Sequence, residues 1–131
     1  MAEPERSAQI GLLLCDDLIF TSRILGTARD LGLELKPHKT VDALVEASAQ
    51  SHPACVILDL GIAGSRIDDL VGRLRSGSTS ALRLVAYGSH VDTQTLEAAR
   101  KAGCDPVLPR SKFVETLPQS LPEWIRDCSQ P

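Results

Sequence analysis

Two short apolar runs in this chain each end in carboxylates: Ile10-Gly11-Leu12-Leu13-Leu14-Cys15 runs into Asp16-Asp17, and Ala54-Cys55-Val56-Ile57-Leu58 runs into Asp59. Runs this short and this apolar read as central parallel strands buried on both faces, which puts the acids at their carboxyl ends. That edge is where an open α/β sheet binds its ligands. Three carboxylates brought together there repel one another, and a bound divalent cation or a raised pKa on one of them relieves the repulsion. The expected chemistry is a hard, oxygen-ligand Mg²⁺ site made by Asp16, Asp17 and Asp59, completed by the Gly61 carbonyl and water. A single aspartate after a strand is an ordinary loop residue. The trio at two central strands is what carries the inference.

The elements that must position these acids follow from periodicity. Phe20, Ile24, Ala28 and Leu31 recur at helical spacing after Asp17, and Gly32 stops the helix. Leu33 to Pro37 reads as an edge strand, because Pro37 cannot donate to a ladder. Thr40 caps a second helix with Val41, Leu44 and Val45 on its stripe, broken by Ser51-His52-Pro53. Gly61 and Gly64 loosen the loop after Asp59. Ile67, Leu70, Val71 and Leu74 then give a third helix, with Asp68 and Asp69 in its first turn where the helix dipole favours them. Ser76 to Ser80 reads as a loop and Leu82 to Tyr87 as a fourth strand. Gly88-Ser89-His90 turns into a fourth helix from about Asp92 to Ala102, ended by Gly103. Pro106 to Pro109 is a minimal fifth strand. Phe113, Leu117, Leu121, Trp124 and Ile125 mark a last helical region; Pro118 and Pro122 predict a short turn there and a helix only from about Leu121.

Alternating strands and crossover-length helices predict an α/β, flavodoxin-like, doubly wound parallel sheet of five strands, order 2-1-3-4-5, with helices on both faces. In that order the first and third strands are neighbours, and Asp16, Asp17 and Asp59 share the crevice between them. The 131 residues suit one domain, taken as 9–131 behind a flexible tail at 1–8. The net charge of −3 comes from well-mixed acids and bases with no basic stripe, which argues against direct nucleic-acid binding. Cys15, Cys55, Cys104 and Cys128 show no metal-ligand spacing, and Cys15 and Cys55 fall inside strand-like runs; reduced core cysteines in a cytoplasmic protein are expected. No stretch reads as a secretion signal or a membrane span.

With these residues in place, the chain resembles the receiver domains of two-component response regulators from Ile10 to about Cys128. Asp16-Asp17 matches that family's metal-binding acids and Asp59 its phosphoacceptor. The turn Ala102-Gly103-Cys104-Asp105 before Val107-Leu108 resembles the family's approach to a basic residue. The order and separations of these motifs make the resemblance specific. There are departures. Gly88 stands where a threonine or serine ends the fourth strand, with Ser89 beside it and Tyr87 before it. Arg110 replaces the lysine; Ser111 follows it where a cis-proline is usual, and Pro109 precedes it. Leu60-Gly61-Ile62-Ala63-Gly64 replaces the usual proline-containing loop. The resemblance is to a divergent branch in which the acids survive and the switch residues have changed.

What the resemblance implies is phosphoryl transfer from a phosphohistidine or small donor to Asp59, assisted by Mg²⁺, with Arg110, Ser89 and Gly88 as the phosphate surroundings. The implied partners are a sensor histidine kinase or phosphotransfer protein and a downstream protein, with a homodimer through the fourth helix, fifth strand and last helix as a further option. No enzymatic turnover beyond self-phosphorylation and slow dephosphorylation is expected. A phosphorylation-independent pseudo-receiver is the rival within the fold. A small Mg²⁺ phosphohydrolase fits less well, because its two acids are spaced by one residue and Asp16 and Asp17 are adjacent. A dinucleotide site is disfavoured, since acids follow the first strand where pyrophosphate needs glycines and backbone N–H groups. His90 reads as an exposed loop histidine, and Phe113 and Trp124 as core or interface residues; His38 and His52 show no partner pattern.

Overall fold

A computed structural model describes residues 10–76 and 82–126. In chain order it contains β1 (Ile10–Leu14), α1 (Leu18–Asp30), β2 (Glu34–His38), α2 (Val41–Ser51) and β3 (Cys55–Asp59). A helical turn (Leu60–Ala63) and a 3₁₀ turn (Gly64–Arg66) lead into α3 (Ile67–Ser76), followed by β4 (Arg83–Gly88), α4 (Thr93–Ala102), β5 (Val107–Pro109) and α5 (Arg110–Arg126). The strands form one parallel sheet in the order β2-β1-β3-β4-β5, as the residue pattern predicts.

Alternation along the three central strands sorts the core into two layers. Leu12, Leu14, Val56, Leu58, Leu84 and Ala86 face α2, α3 and α4. Leu13, Cys15, Ile57, Val85 and Tyr87 face α1 and α5. Period-two alternation puts consecutive residues on opposite faces, and both faces here are covered, so β1 and β3 are buried along their whole length. Within the sheet, proline is found on the two edge strands, Pro37 in β2 and Pro109 in β5, where a missing N–H leaves no central ladder broken. The described cysteines, Cys15, Cys55 and Cys104, are core residues, and burial pushes the Cys104 thiol up to about 11.

Caps form where the sequence places them. Asp17, Thr40 and Asp92 accept the N–H of Phe20, Ala43 and Thr95 at the starts of α1, α2 and α4. Gly103 closes α4 with φ of 112°, a left-handed conformation that costs a residue without Cβ little.

Gly88 ends β4, as the resemblance implies, and does not open the turn after it. A cis peptide lies at Asp105–Pro106, before β5. The loop expected after Asp59 is instead helical, Leu60–Ala63 followed by the Gly64–Arg66 turn, because the Asp59 carboxylate caps it through the Gly61 N–H. The largest difference is α5, a single helix through Pro118 and Pro122 where a short turn was expected. Its buried stripe of Phe113, Leu117, Leu121, Trp124 and Ile125 packs on the sheet, while Pro118 points to solvent and Pro122 lies half-buried off the stripe. Burial of that stripe outweighs two lost backbone hydrogen bonds. The expected tail at 1–8, residues 77–80 of the expected loop and Cys128 lie outside the described residues.

Candidate functional site

Asp59 is the last residue of β3, at the centre of the sheet, and only 5 % of its surface is exposed. A carboxylate this buried needs donors. Its Oδ1 accepts the Gly61 N–H at 2.8 Å, which bends the chain into the Leu60–Ala63 turn, and faces Nη2 of Arg110 at 4.0 Å. Arg110 opens α5 directly after the edge strand β5, so the sheet order delivers the guanidinium across β4 to Asp59. The guanidinium is held from the other side by aromatic faces: its central carbon lies 5.5 Å from the Phe20 ring centre and 6.0 Å from that of Tyr87. Phe20, read from sequence only as part of a helix stripe, is therefore a component of the site. Its position three residues after Asp17 was the available signal.

Leu60, Gly61, Gly88, Ser89 and Arg110 line a pocket of about 90 Å³ beside Asp59, walled on the far side by Asp92, Thr95 and Leu96 of the α4 start. At roughly 30 Å³ per water this holds a phosphoryl-sized group. The structure thus brings together Asp59, Gly61, Gly88, Ser89 and Arg110. Ser89 is exposed, and its Oγ accepts the Val91 N–H at 3.4 Å.

At Gly88 a side chain would be crowded by Leu60. A Cβ there would lie 3.2 Å from Leu60 Cβ and 3.3 Å from Leu60 Cδ1. Leu60 was not singled out in the sequence, because only the packed structure shows that it crowds the place of a hydroxyl side chain.

Asp16 and Asp17 follow β1 at the same sheet edge, with Leu14 in register with Leu58, and both are exposed. The side chains are not arranged as the three-carboxylate cage expected for Mg²⁺. Asp17 Oδ1 caps α1 through the Phe20 N–H, Asp59 Oδ1 is held by an N–H and a guanidinium, and among the described residues no three Asp, Glu, His or Cys side chains gather closely enough to hold an ion. The residue types suit Mg²⁺, and two of the three carboxylates, Asp17 and Asp59, are engaged with other partners in this arrangement.

Tyr87 turns inward, fully buried, against Phe113 at 4.4 Å and Phe20 at 5.3 Å between ring centres. Burial, then the Cys15 thiol and the Asp59 charge, drive its ionisation far above the normal phenol range. Its hydroxyl finds no partner of good geometry, so Cys15 acts on it without satisfying it. Phe113 continues to Trp124 at 6.0 Å, so the two phenylalanines, the tyrosine and the tryptophan, the chain's four aromatic residues, form one column from Arg110 towards the end of α5.

No protein-family model matches this chain, and no curated protein matches it. Solved structures do. The beryllofluoride-activated NtrC4 receiver domain dimer superposes with a TM-score of 0.78 at 16 % identity, over 92 % of this chain and 99 % of that one. A response regulator from Thermotoga maritima gives 0.75 at 14 %, over 88 % and 96 %. The receiver domain of NtrX from Brucella abortus gives 0.74 at 20 %, over 88 % and 97 %. The fold of this chain is the receiver-domain fold.

Proposed function

We propose that this chain is a receiver-type signalling module in which Asp59 accepts a phosphoryl group and the output is a protein–protein contact. The observation that carries the reading is a single buried carboxylate at the central strand end, facing a cation at 4.0 Å, whose chain neighbours Leu60 and Gly61 and partner Arg110 line a small pocket. With Oδ1 held by the Gly61 N–H, Oδ2 is the attacking oxygen. It forms the P–O bond as the P–N bond of a phosphohistidine, or the P–O bond of a small acyl phosphate, breaks, and the leaving group carries away the electron pair. Arg110 turns from the carboxylate to the phosphoryl oxygens and balances their charge, which a planar guanidinium does with two donors at once. The donor partner fitting this chemistry is a histidine kinase or phosphotransfer protein. The chain turns over no substrate of its own beyond this self-modification.

Mg²⁺ enters as a weak ligand only. Asp16, Asp17 and the Gly61 carbonyl supply the right oxygens, but an ion must compete with Arg110 for Asp59 and with the α1 cap for Asp17. Replacing Arg110 with alanine is therefore expected to tighten Mg²⁺ binding several-fold, read as a larger Mg²⁺-induced rise in Tm. Unchanged Mg²⁺ response in that variant would remove the competition from the account.

The second reading, a pseudo-receiver that ignores phosphate, draws on Leu60 crowding the space at Gly88 and on Arg110 already neutralising Asp59. Intact-mass measurement after incubation with acetyl phosphate separates the two. The first reading predicts a gain of one phosphate that disappears in Asp59→Asn. No gain under conditions that label an ordinary receiver supports the second.

A further inference from the structure

We infer that Phe20 is a positioning residue for phosphoryl transfer: its ring fixes the Arg110 guanidinium beside Asp59, a role in the reaction that rests on Asp59 being the acceptor. The same contact accounts for an arginine, and not a lysine, at position 110.

The carboxylate cannot hold Arg110 by itself. Among the described residues Arg110 is the cation that meets Asp59, and it does so through one Nη2–Oδ1 approach of 4.0 Å, with its side chain 52 % exposed. A long, half-exposed ion pair contributes little, and it has to immobilise a side chain with several rotatable bonds. A second contact is needed to keep the guanidinium at the pocket, and two aromatic rings supply it. The central guanidinium carbon stands 5.5 Å from the Phe20 ring centre and 6.0 Å from that of Tyr87. Both distances are within reach of a cation–π contact.

Phe20 can serve as this support because it is itself fixed. Its N–H donates to Asp17 Oδ1 at 3.1 Å, so the cap that starts α1 also sets where the ring stands. The ring leans on Tyr87 at 5.3 Å and on Phe113 at 6.4 Å, tilted by 56° and 40°. Those two rings are fully buried and stack on each other at 4.4 Å. The support is therefore built before a phosphoryl group arrives, and the cation that must meet it is placed in advance. The support also selects the residue type. A flat guanidinium lies against a ring and still points donors from its edge, whereas an ammonium has no such face.

Two readouts on the full chain test this. The first is the Arg110 Nε–Hε NMR resonance, assigned by its loss in Arg110→Ala, which the ring current of Phe20 displaces upfield. Phe20→Leu keeps an apolar side chain of similar size and should move the resonance towards the position of a free arginine; Phe20→Tyr should leave it in place. The second is the rate of phosphate gain from acetyl phosphate, followed by intact mass. Phe20→Leu should slow it about threefold to fivefold, the loss of one cation–π contact, and Phe20→Tyr should restore it. In an Arg110→Ala background Phe20→Leu should change the rate little, because there is no guanidinium left to place; a general structural fault would slow both backgrounds alike. An Arg110 resonance that stays in place in Phe20→Leu, or equal slowing with and without Arg110, would overturn the assignment. A parent that gains no phosphate while its Arg110 resonance responds as expected would instead sink the reading of Asp59 as acceptor and leave Phe20 as the support of Arg110.

Discussion

At the scale of single residues, the acids at the strand ends were legible because two apolar runs ending in aspartate have few other readings. What those acids touch was not. Pairing of Asp59 with Arg110 depends on β5 and β3 lying on either side of β4, and capping by Asp17 depends on where α1 starts to within one residue. Leu60 gives the sharpest case. Crowding of the Gly88 position by Leu60 predicts that Gly88→Ser destabilises the protein by about 1–3 kcal/mol, the usual cost of overpacking a tight site. In a Leu60→Ala background the same change should cost about 1 kcal/mol less, a coupling that urea denaturation of the four proteins measures. Equal cost in both backgrounds would mean that Leu60 is not the obstacle.

His38 supplies a pH dependence of a different origin. Burial, then the nearby Lys36 charge, lowers its pKa below the ordinary histidine value, and its Nε2 is buried without a partner. The unfolded chain therefore binds the proton more tightly than the folded one. The stability linked to this residue is fully present above about pH 6.5 and is lost as pH falls from there through the lowered folded value. Urea midpoints measured from about pH 7.5 down to 5 should fall less steeply in His38→Gln than in the parent. An unchanged slope would show that His38 titrates alike in both states.

At the scale of elements, a helix whose apolar stripe and cap agree, such as α2 behind Thr40, was readable almost to its ends. The fifth helix was not, because a local rule and a tertiary one conflict there. Proline argues against helix at 118 and 122, and the spacing of Phe113, Leu117, Leu121 and Trp124 argues for it; only the sheet beneath decides. The conflict leaves a measurable residue. Since Pro118 is exposed and its substitution opens no cavity, Pro118→Ala should raise stability by about 1–2 kcal/mol, the helix-interior gain less the freedom returned to the unfolded chain. A loss of stability on that substitution would mean that the proline fixes a bend which α5 needs to pack.

At the scale of the whole molecule, the sheet order predicted from alternating strands and helices places every part of the pocket, and the same order separates two possible routes out of it. One leads through Gly88 and β5 towards α4, where Leu60 crowds the space a switching hydroxyl would use. The other leads through Arg110 into the aromatic column beneath α1 and α5. A ligand shifts a conformational equilibrium only by its differential contacts with the two states, and at Gly88 there is no side chain to make one. Phosphorylation is thus expected to organise the pocket without repacking the face made by α4 and β5. The measurement that tests this most directly is a comparison of amide NMR spectra with and without beryllofluoride in the presence of Mg²⁺. The account predicts shifts at Asp59, Gly61, Gly88, Ser89 and Arg110 that fade before Leu96. Large shifts running from Leu96 through Leu108, or no shifts at Asp59 and its neighbours, would contradict it.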